Sequence, residues 1–162
     1  MVVTNSEKII LDNTDKQILQ LLQDNAKYTM REIANKTDMS VTAIRLRIKR
    51  LENDLIKKYM AIVDCRKLGY REMVIASLRV NSSQPLDDIK NKIEKMPQVK
   101  YAYIVTGERP IIAMFKCLNH EEAMGLIEEL RKLPGVEEVN TQIVLDRIKE
   151  DHSIIIPENK KK

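Results

Sequence analysis

The densest reactive chemistry in the chain is cationic. Between Ala43 and Lys58 stand Arg45, Arg47, Lys49, Arg50, Lys57 and Lys58 against only Glu52 and Asp54, six basic and two acidic side chains. Arginine forks and lysine ammonium groups both pair with phosphate oxygens, so such a segment suits a polyanion. The whole-chain charge is only +4, from 28 basic and 24 acidic side chains. Its placement is uneven: residues 1–70 carry an excess of four positive charges, residues 71–150 an excess of one negative charge, and the tail one positive charge. The bland alternative is an amphipathic helix with a solvated basic face.

The other chemistry-bearing residues form no constellation. His120 and His152 are isolated, and no Cys or carboxylate is spaced with them as metal ligands are. Cys65 and Cys117 make no C-x-x-C pair and are expected to be buried small hydrophobes. Glu121-Glu122 and Glu128-Glu129 are adjacent helical residues about 100° apart, which do not converge on one substrate. No metal, no cofactor and no catalytic role are therefore expected.

These groups need a scaffold, and composition allows one: 43% hydrophobic residues suffice for a core, and 32% charged residues give an ionic surface. The first residues lack the apolar region of a secretory leader, and no stretch approaches the ~18 apolar residues of a spanning helix. A cytoplasmic protein without membrane contact is expected. Abundant Ile, Lys and Glu, four Gly and no Trp resemble hyperthermophile compositions, although AT-rich codon bias produces the same pattern.

Up to Leu55 the apolar period is helical. Asp12 is a candidate N-cap with Asp15 three residues on, opening a helix to about Asn25 that buries Ile18, Leu19 and Leu22. Thr29 and Glu32 make a capping box for a second helix with Met30, Ile33, Ala34 and Thr37 on one face. Asp38-Met39-Ser40 is a short turn, and Ser40 caps a third helix with Val41, Ile44, Ile48, Leu51 and Leu55 in a stripe. Two helices across so short a turn predict a helix-turn-helix, whose second helix enters the major groove of duplex DNA. Thr42, Ala43, Leu46, Lys49 and Arg50 point away from the stripe, and Arg45 and Arg47 flank it. The expected phosphate contacts are Lys49, Arg50 and Lys57 or Lys58, and the expected base contacts are Thr42, Arg45 and either Leu46 or Ala43. Ser40 and Arg47 complete the expected DNA-binding set.

Beyond a linker, strands are expected at Met73–Val80, Val99–Val105, Ile111–Cys117 and Val136–Leu145. Helices are expected at Pro85–Met96 and after an Asn119/Glu122 capping box, ending at Leu133-Pro134-Gly135. The order βαββαβ is ferredoxin-like, so the fold class is α+β. The expected divisions are residues 1–58 for DNA binding, 59–71 as linker strand and hinge, 72–150 for effector binding and oligomerisation, and 151–162 as C-terminal strand and basic tail. Within that tail, Ser153–Ile156 is the expected edge strand and 160–162 are expected to fray.

The stretch LDNTDKQILQLLQDNAKYTMREIANKTDMSVTAIRLRIKRLENDLIKKYMAIVD at residues 11–64, with LPGVEEVNTQIVLDRIKE at 133–150, resembles the Lrp/AsnC family of feast/famine regulators. The resemblance implies a winged helix-turn-helix joined to an effector domain, in a homodimer paired through its sheets or in an octamer. It further implies an archaeal transcription regulator on pseudo-palindromic DNA, with an amino-acid-like effector between dimers. By motif position that effector would meet Val105, Thr106, Gly107, Glu108, Thr141, Gln142 and Ile143. Where the family carries G-x-Tyr/Phe-Asp, this chain has Gly107-Glu108-Arg109-Pro110. Either Glu108 supplies the missing carboxylate, or Arg109 selects an acidic ligand, or the turn tip is simply solvated. The family's sirohaem decarboxylases offer an enzymatic alternative, and low-specificity architectural DNA binding is another.

Overall fold

In the computed structural model, residues 9–81 and 86–158 are described. They form two compact units, 9–62 with 150–158, and 63–81 with 86–149.

The first unit contains α1 (Asn13–Asp24), α2 (Met30–Thr37) and α3 (Val41–Asp54). Each begins where a short polar side chain satisfies an otherwise unpaired N–H of the first turn. Asp15 N–H donates to Asp12 Oδ1 (2.8 Å), Glu32 N–H to Thr29 Oγ1 (3.2 Å), and Ala43 N–H to Ser40 Oγ (3.2 Å). The first two caps are reciprocal boxes. Asp38 ends α2 in the left-handed region (φ 53°), which aspartate tolerates, and so turns the chain directly into α3. Ile18, Leu19, Ile33, Ala34, Ile44, Ile48 and Leu51 form the core. The α3 stripe is narrower than its periodicity predicts, because Val41 and Leu55 at its two ends are exposed, and Leu22 of α1 is only half-buried.

Two expected strands are absent from the described residues. Residues 59–71, expected as linker strand and hinge, are loop and turn, and Tyr59 donates its hydroxyl to Glu52 Oε1 (3.1 Å). Ser153–Ile156 is likewise no strand. Both backbone groups of Ile154 are taken by the Gln23 amide: Ile154 N–H donates to Oε1 (2.7 Å) and Gln23 Nε2 donates to the Ile154 carbonyl (3.1 Å). Ile156 packs on the core of the first unit, so the tail from Glu150 belongs with α1.

The second unit is one antiparallel sheet in the order β2-β3-β1-β4, built from β1 (Glu72–Val80), β2 (Val99–Ile104), β3 (Ile111–Cys117) and β4 (Val136–Ile143). Helices α4 (Leu86–Glu94) and α5 (His120–Arg131) connect them. Pro85, the expected first residue of α4, and residues 160–162 lie outside the described residues. The box expected at α5 is only half formed: Asn119 Oδ1 accepts from Glu122 N–H, but Glu122 Oε2 accepts from Leu118 N–H.

Alternation divides the sheet. Val74, Ala76, Leu78, Ile111, Phe115 and Cys117 are buried with Ile89 and Ile93 of α4 and Ala123, Leu126, Ile127 and Leu130 of α5. Paired residues of an antiparallel ladder share a side. Ile75 with Met114, Ser77 with Ile112, and Met114 and Ile112 with Tyr101 and Tyr103 therefore make a second, half-exposed apolar side. Phe115 is fully buried at the centre of the covered side. Phe115→Ala should lower stability by about 3–5 kcal/mol, read in urea denaturation as a lower midpoint with an unchanged slope.

Candidate nucleic-acid interface

Helix α3 has to serve the core and the surface at once. Ile44, Ile48 and Leu51 fix its inner side, which leaves Thr42, Arg45, Leu46 and Lys49 exposed along the outer side. Leu46, at 66% exposure, is a large apolar side chain with no packing role, the kind of residue that otherwise meets a thymine methyl. Ala43 is half-buried, and Ser40 spends its hydroxyl on the cap. Lys57 and Lys58 are exposed beyond the helix end.

Arg47 and Arg50 are placed differently from the rest of the expected set. Arg47 Nη1 donates to Asp12 Oδ2 (2.6 Å) and Asp15 Oδ1 (2.7 Å), while Arg50 Nη2 donates to Asp15 Oδ2. Asp15 is 1% exposed, and an unpaired carboxylate at that depth would cost several kcal/mol. The two guanidinium groups supply what burial demands. Burial pushes the Asp12 carboxyl up, but the Asp15 N–H, the Arg47 hydrogen bond and the Arg47 charge outweigh it and hold Asp12 below the usual carboxylate range. The hydrogen bonds to Asp12 and Asp15 hold Arg47 above the usual guanidinium value. Periodicity located Arg47 on the flank of the α3 stripe and Arg50 away from it, but carried no sign of carboxylates that lie more than 30 positions away.

The expected effector residues fall in two places. Val105, Thr106, Gly107 and Glu108 form the β2–β3 turn, closed by Val105 N–H donating to the Pro110 carbonyl (2.9 Å), with Gly107 at φ +114°. Thr141, Gln142 and Ile143 pair along β4 with Ala76, Ile75 and Val74, further down the sheet. Arg109 is tied to β4, its Nη2 donating to Glu138 Oε1 (2.8 Å). That hydrogen bond, opposed by burial and helped by the charges of Arg109 and Arg79, holds the Glu138 carboxyl below its ordinary range. Glu108 is exposed, 3.8 Å from Arg79. A groove of about 470 Å³ between α4 and β2, bordered by Ile93, Tyr101 and Tyr103, includes none of the seven.

Three capped helices presenting one basic flank, joined to a helix-covered antiparallel sheet, define a helix-turn-helix DNA-binding protein with an appended α+β domain. Residues 11–54 match the family model for a winged helix-turn-helix DNA-binding domain, and residues 73–154 that for the Lrp/AsnC ligand binding domain. The HTH-type transcriptional regulator FL11 of Pyrococcus horikoshii is 31% identical over 144 residues, covering 88% of this chain and 95% of that protein. Transcriptional regulator AzlB of Bacillus subtilis is 31% identical over 154 residues, 93% of this chain and 98% of AzlB. The chain belongs to the Lrp/AsnC family of transcriptional regulators. Its fold is shared with the Neisseria meningitidis regulator NMB0573 in complex with L-Met (TM-score 0.84, 23% identity, 90% of this chain and 97% of that one). It is shared also with Escherichia coli AsnC (TM-score 0.80, 24% identity, 88% and 97%).

Among the described residues no group of three or more His, Cys, Asp or Glu is placed to hold a metal, and no helix is long and apolar enough to cross a membrane. His120 opens α5, exposed, with Nδ1 3.4 Å from Glu72. The cysteines differ from each other, contrary to the expectation that both are buried. Cys117 is buried, and burial, with Glu122 and Glu72 adding, pushes its thiol up to about 11. Cys65 is only half-buried, and its Sγ accepts from Arg147 Nη1 at 3.2 Å. That hydrogen bond, opposed by burial and helped by the charges of Lys116 and Arg147, holds the Cys65 thiol below its ordinary value. An aromatic disulfide reagent near neutral pH should therefore label Cys65 in the folded protein and Cys117 only on unfolding, and Arg147→Met should slow the first reaction.

Proposed function

We propose that this regulator acts in the cytoplasm, binds pseudo-palindromic duplex DNA through the outer side of α3, and has no catalytic activity. Thr42, Ala43, Arg45 and Leu46 meet base edges, and Lys49 with Lys57 or Lys58 meets phosphates. The observation that carries this reading is the division of α3, in which Ile44, Ile48 and Leu51 are committed to the core and Arg45, Leu46 and Lys49 are left to solvent. A symmetric dimer doubles each contact at half-sites one helical turn apart. The half-exposed side of the sheet, with Ile75, Ile112, Met114, Tyr101 and Tyr103, suits pairing with a second copy.

In salt-titrated binding, Lys49→Ala should weaken all sequences alike and flatten the salt slope by about one unit, whereas Arg45→Ala should relax preference at one base position. Wild-type behaviour of both variants would remove α3 from the DNA.

An amino-acid-like effector is the second element of the proposal. Support comes from the ligand-binding family model over residues 73–154 and from the L-Met complex of the Neisseria regulator. The β2–β3 turn and Thr141–Ile143 stand apart within one chain, which fits a site completed by another copy. With Arg109 held by Glu138, Glu108 is the turn's carboxylate for an ammonium group. A thermal-shift screen of the amino acids should find at least one that raises the melting temperature, and Glu108→Gln should abolish the rise. A screen without a hit would mark a regulator that works without an amino acid.

A further inference from the structure

The basic segment from Ala43 to Lys58, which α3 opens, carries more positive charge in sequence than the fold leaves available. Of its six basic side chains, Arg47 and Arg50 are turned onto carboxylates of α1. Asp15 is the centre of this arrangement, buried at the third residue of α1, ahead of the Ile18-Leu19 pair, and bonded by both oxygens, one to each arginine. Asp12 holds Arg47 a second time. Arg50 is the more available of the two, its side chain 48% exposed against 26% for Arg47, and it stands beside Lys49 on the helix. In a helix lying along a phosphate backbone, a half-exposed arginine next to a phosphate-binding lysine is within reach of the same polyanion unless something holds it back.

We propose that Asp15 is a specificity-determining residue, whose buried carboxylate withholds Arg50, and with Asp12 withholds Arg47, from the DNA backbone. The inference rests on the reading of α3 as the DNA-contacting helix. Phosphate contacts contribute affinity to every sequence alike, while base contacts discriminate. Neutralising two arginines from inside the fold lowers the sequence-blind part and leaves Arg45, Thr42 and Leu46 at the base edges untouched. A carboxylate that only pinned α1 to α3 would not set the number of counterions released on binding. Salt dependence therefore separates the two roles.

The test uses the full chain, a duplex bearing a site selected in vitro by the wild-type protein, and a scrambled duplex of equal length, with binding followed by fluorescence anisotropy between about 50 and 200 mM salt. Asp15→Asn should steepen the slope on the scrambled duplex by about one unit, since Asp12 still holds Arg47, and should raise scrambled affinity about 3- to 10-fold near 0.1 M salt. The ratio of selected to scrambled affinity should fall accordingly. Arg50→Ala, which removes a cation that Asp15 already withholds while Arg47 still pairs Asp15, should leave the slope as in wild type, whereas Lys49→Ala flattens it by about one unit. An Asp15→Asn slope equal to wild type, or an Arg50→Ala slope flattened like that of Lys49→Ala, overturns the inference. Should Asp15→Asn not fold, the Arg50→Ala comparison decides alone. A wild-type protein that selects no site and does not bind the scrambled duplex overturns the DNA-binding reading itself, and this inference with it.

Discussion

Everything the first unit does depends on docking α3 against α1 in one orientation, and the least replaceable part of that docking is the carboxylate of Asp15. Apolar contacts among Ile18, Ile33, Ile44, Ile48 and Leu51 supply most of the burial, but they tolerate small rotations of one helix against another. A buried carboxylate does not, because its oxygens must meet donors at hydrogen-bond distance. Bonds from Arg47 and Arg50, three residues apart on α3, fix both the rotation and the axial position of the helix relative to α1. The same carboxylate and Asp12 close the reciprocal cap that starts α1, so the helix start and the interhelical contact are one network.

The second unit solves a different problem with the opposite economy of charge. Its sheet has one side sealed by α4 and α5, and its charged contacts sit at the rim, where Arg79 and Arg109 share Glu138. Rim pairs in high dielectric contribute little to stability. Their effect is to tie the β2–β3 turn to β4 across the end of the sheet, which fixes the backbone that carries Gly107 and Glu108. The apolar residues left on the uncovered side, Ile75, Ile112 and Met114, alternate so strictly with the buried ones that a one-residue slip would exchange the two sets.

Sequence alone located every helix and all four strands of the second unit, because the signals are local. A cap needs a polar side chain three positions from its N–H, and Asp12, Thr29, Ser40 and Asn119 all provide one. The outer side of α3 was legible for the same reason, since a helical period fixes which side chains share a face. Features set by distant contacts were not legible. The end positions Val41 and Leu55 fit the stripe but lie where the neighbouring helices no longer cover it. The strand-like composition of Ser153–Ile156 concealed a segment whose hydrogen bonds go to the side chain of Gln23, 131 positions away. Charge counted along the chain treated Arg47 and Arg50 as surface cations, because their neutralising partners belong to another helix.

That last difference bears on how a modest net charge yields selective DNA binding. A recognition helix needs enough cations to hold the backbone, yet each one added strengthens binding to every competing site in proportion. In this chain two of the arginines on α3 pair with the carboxylates at the start of α1 instead, and the side chains they leave outermost are the short hydroxyl of Thr42, the fork of Arg45 and the apolar Leu46, suited to base edges. Because Asp15 is buried, its hold on those arginines is screened less by salt than any ionic contact of the exposed Lys49. The balance between holding DNA and reading it is therefore set inside the fold, by the same bonds that orient the helix.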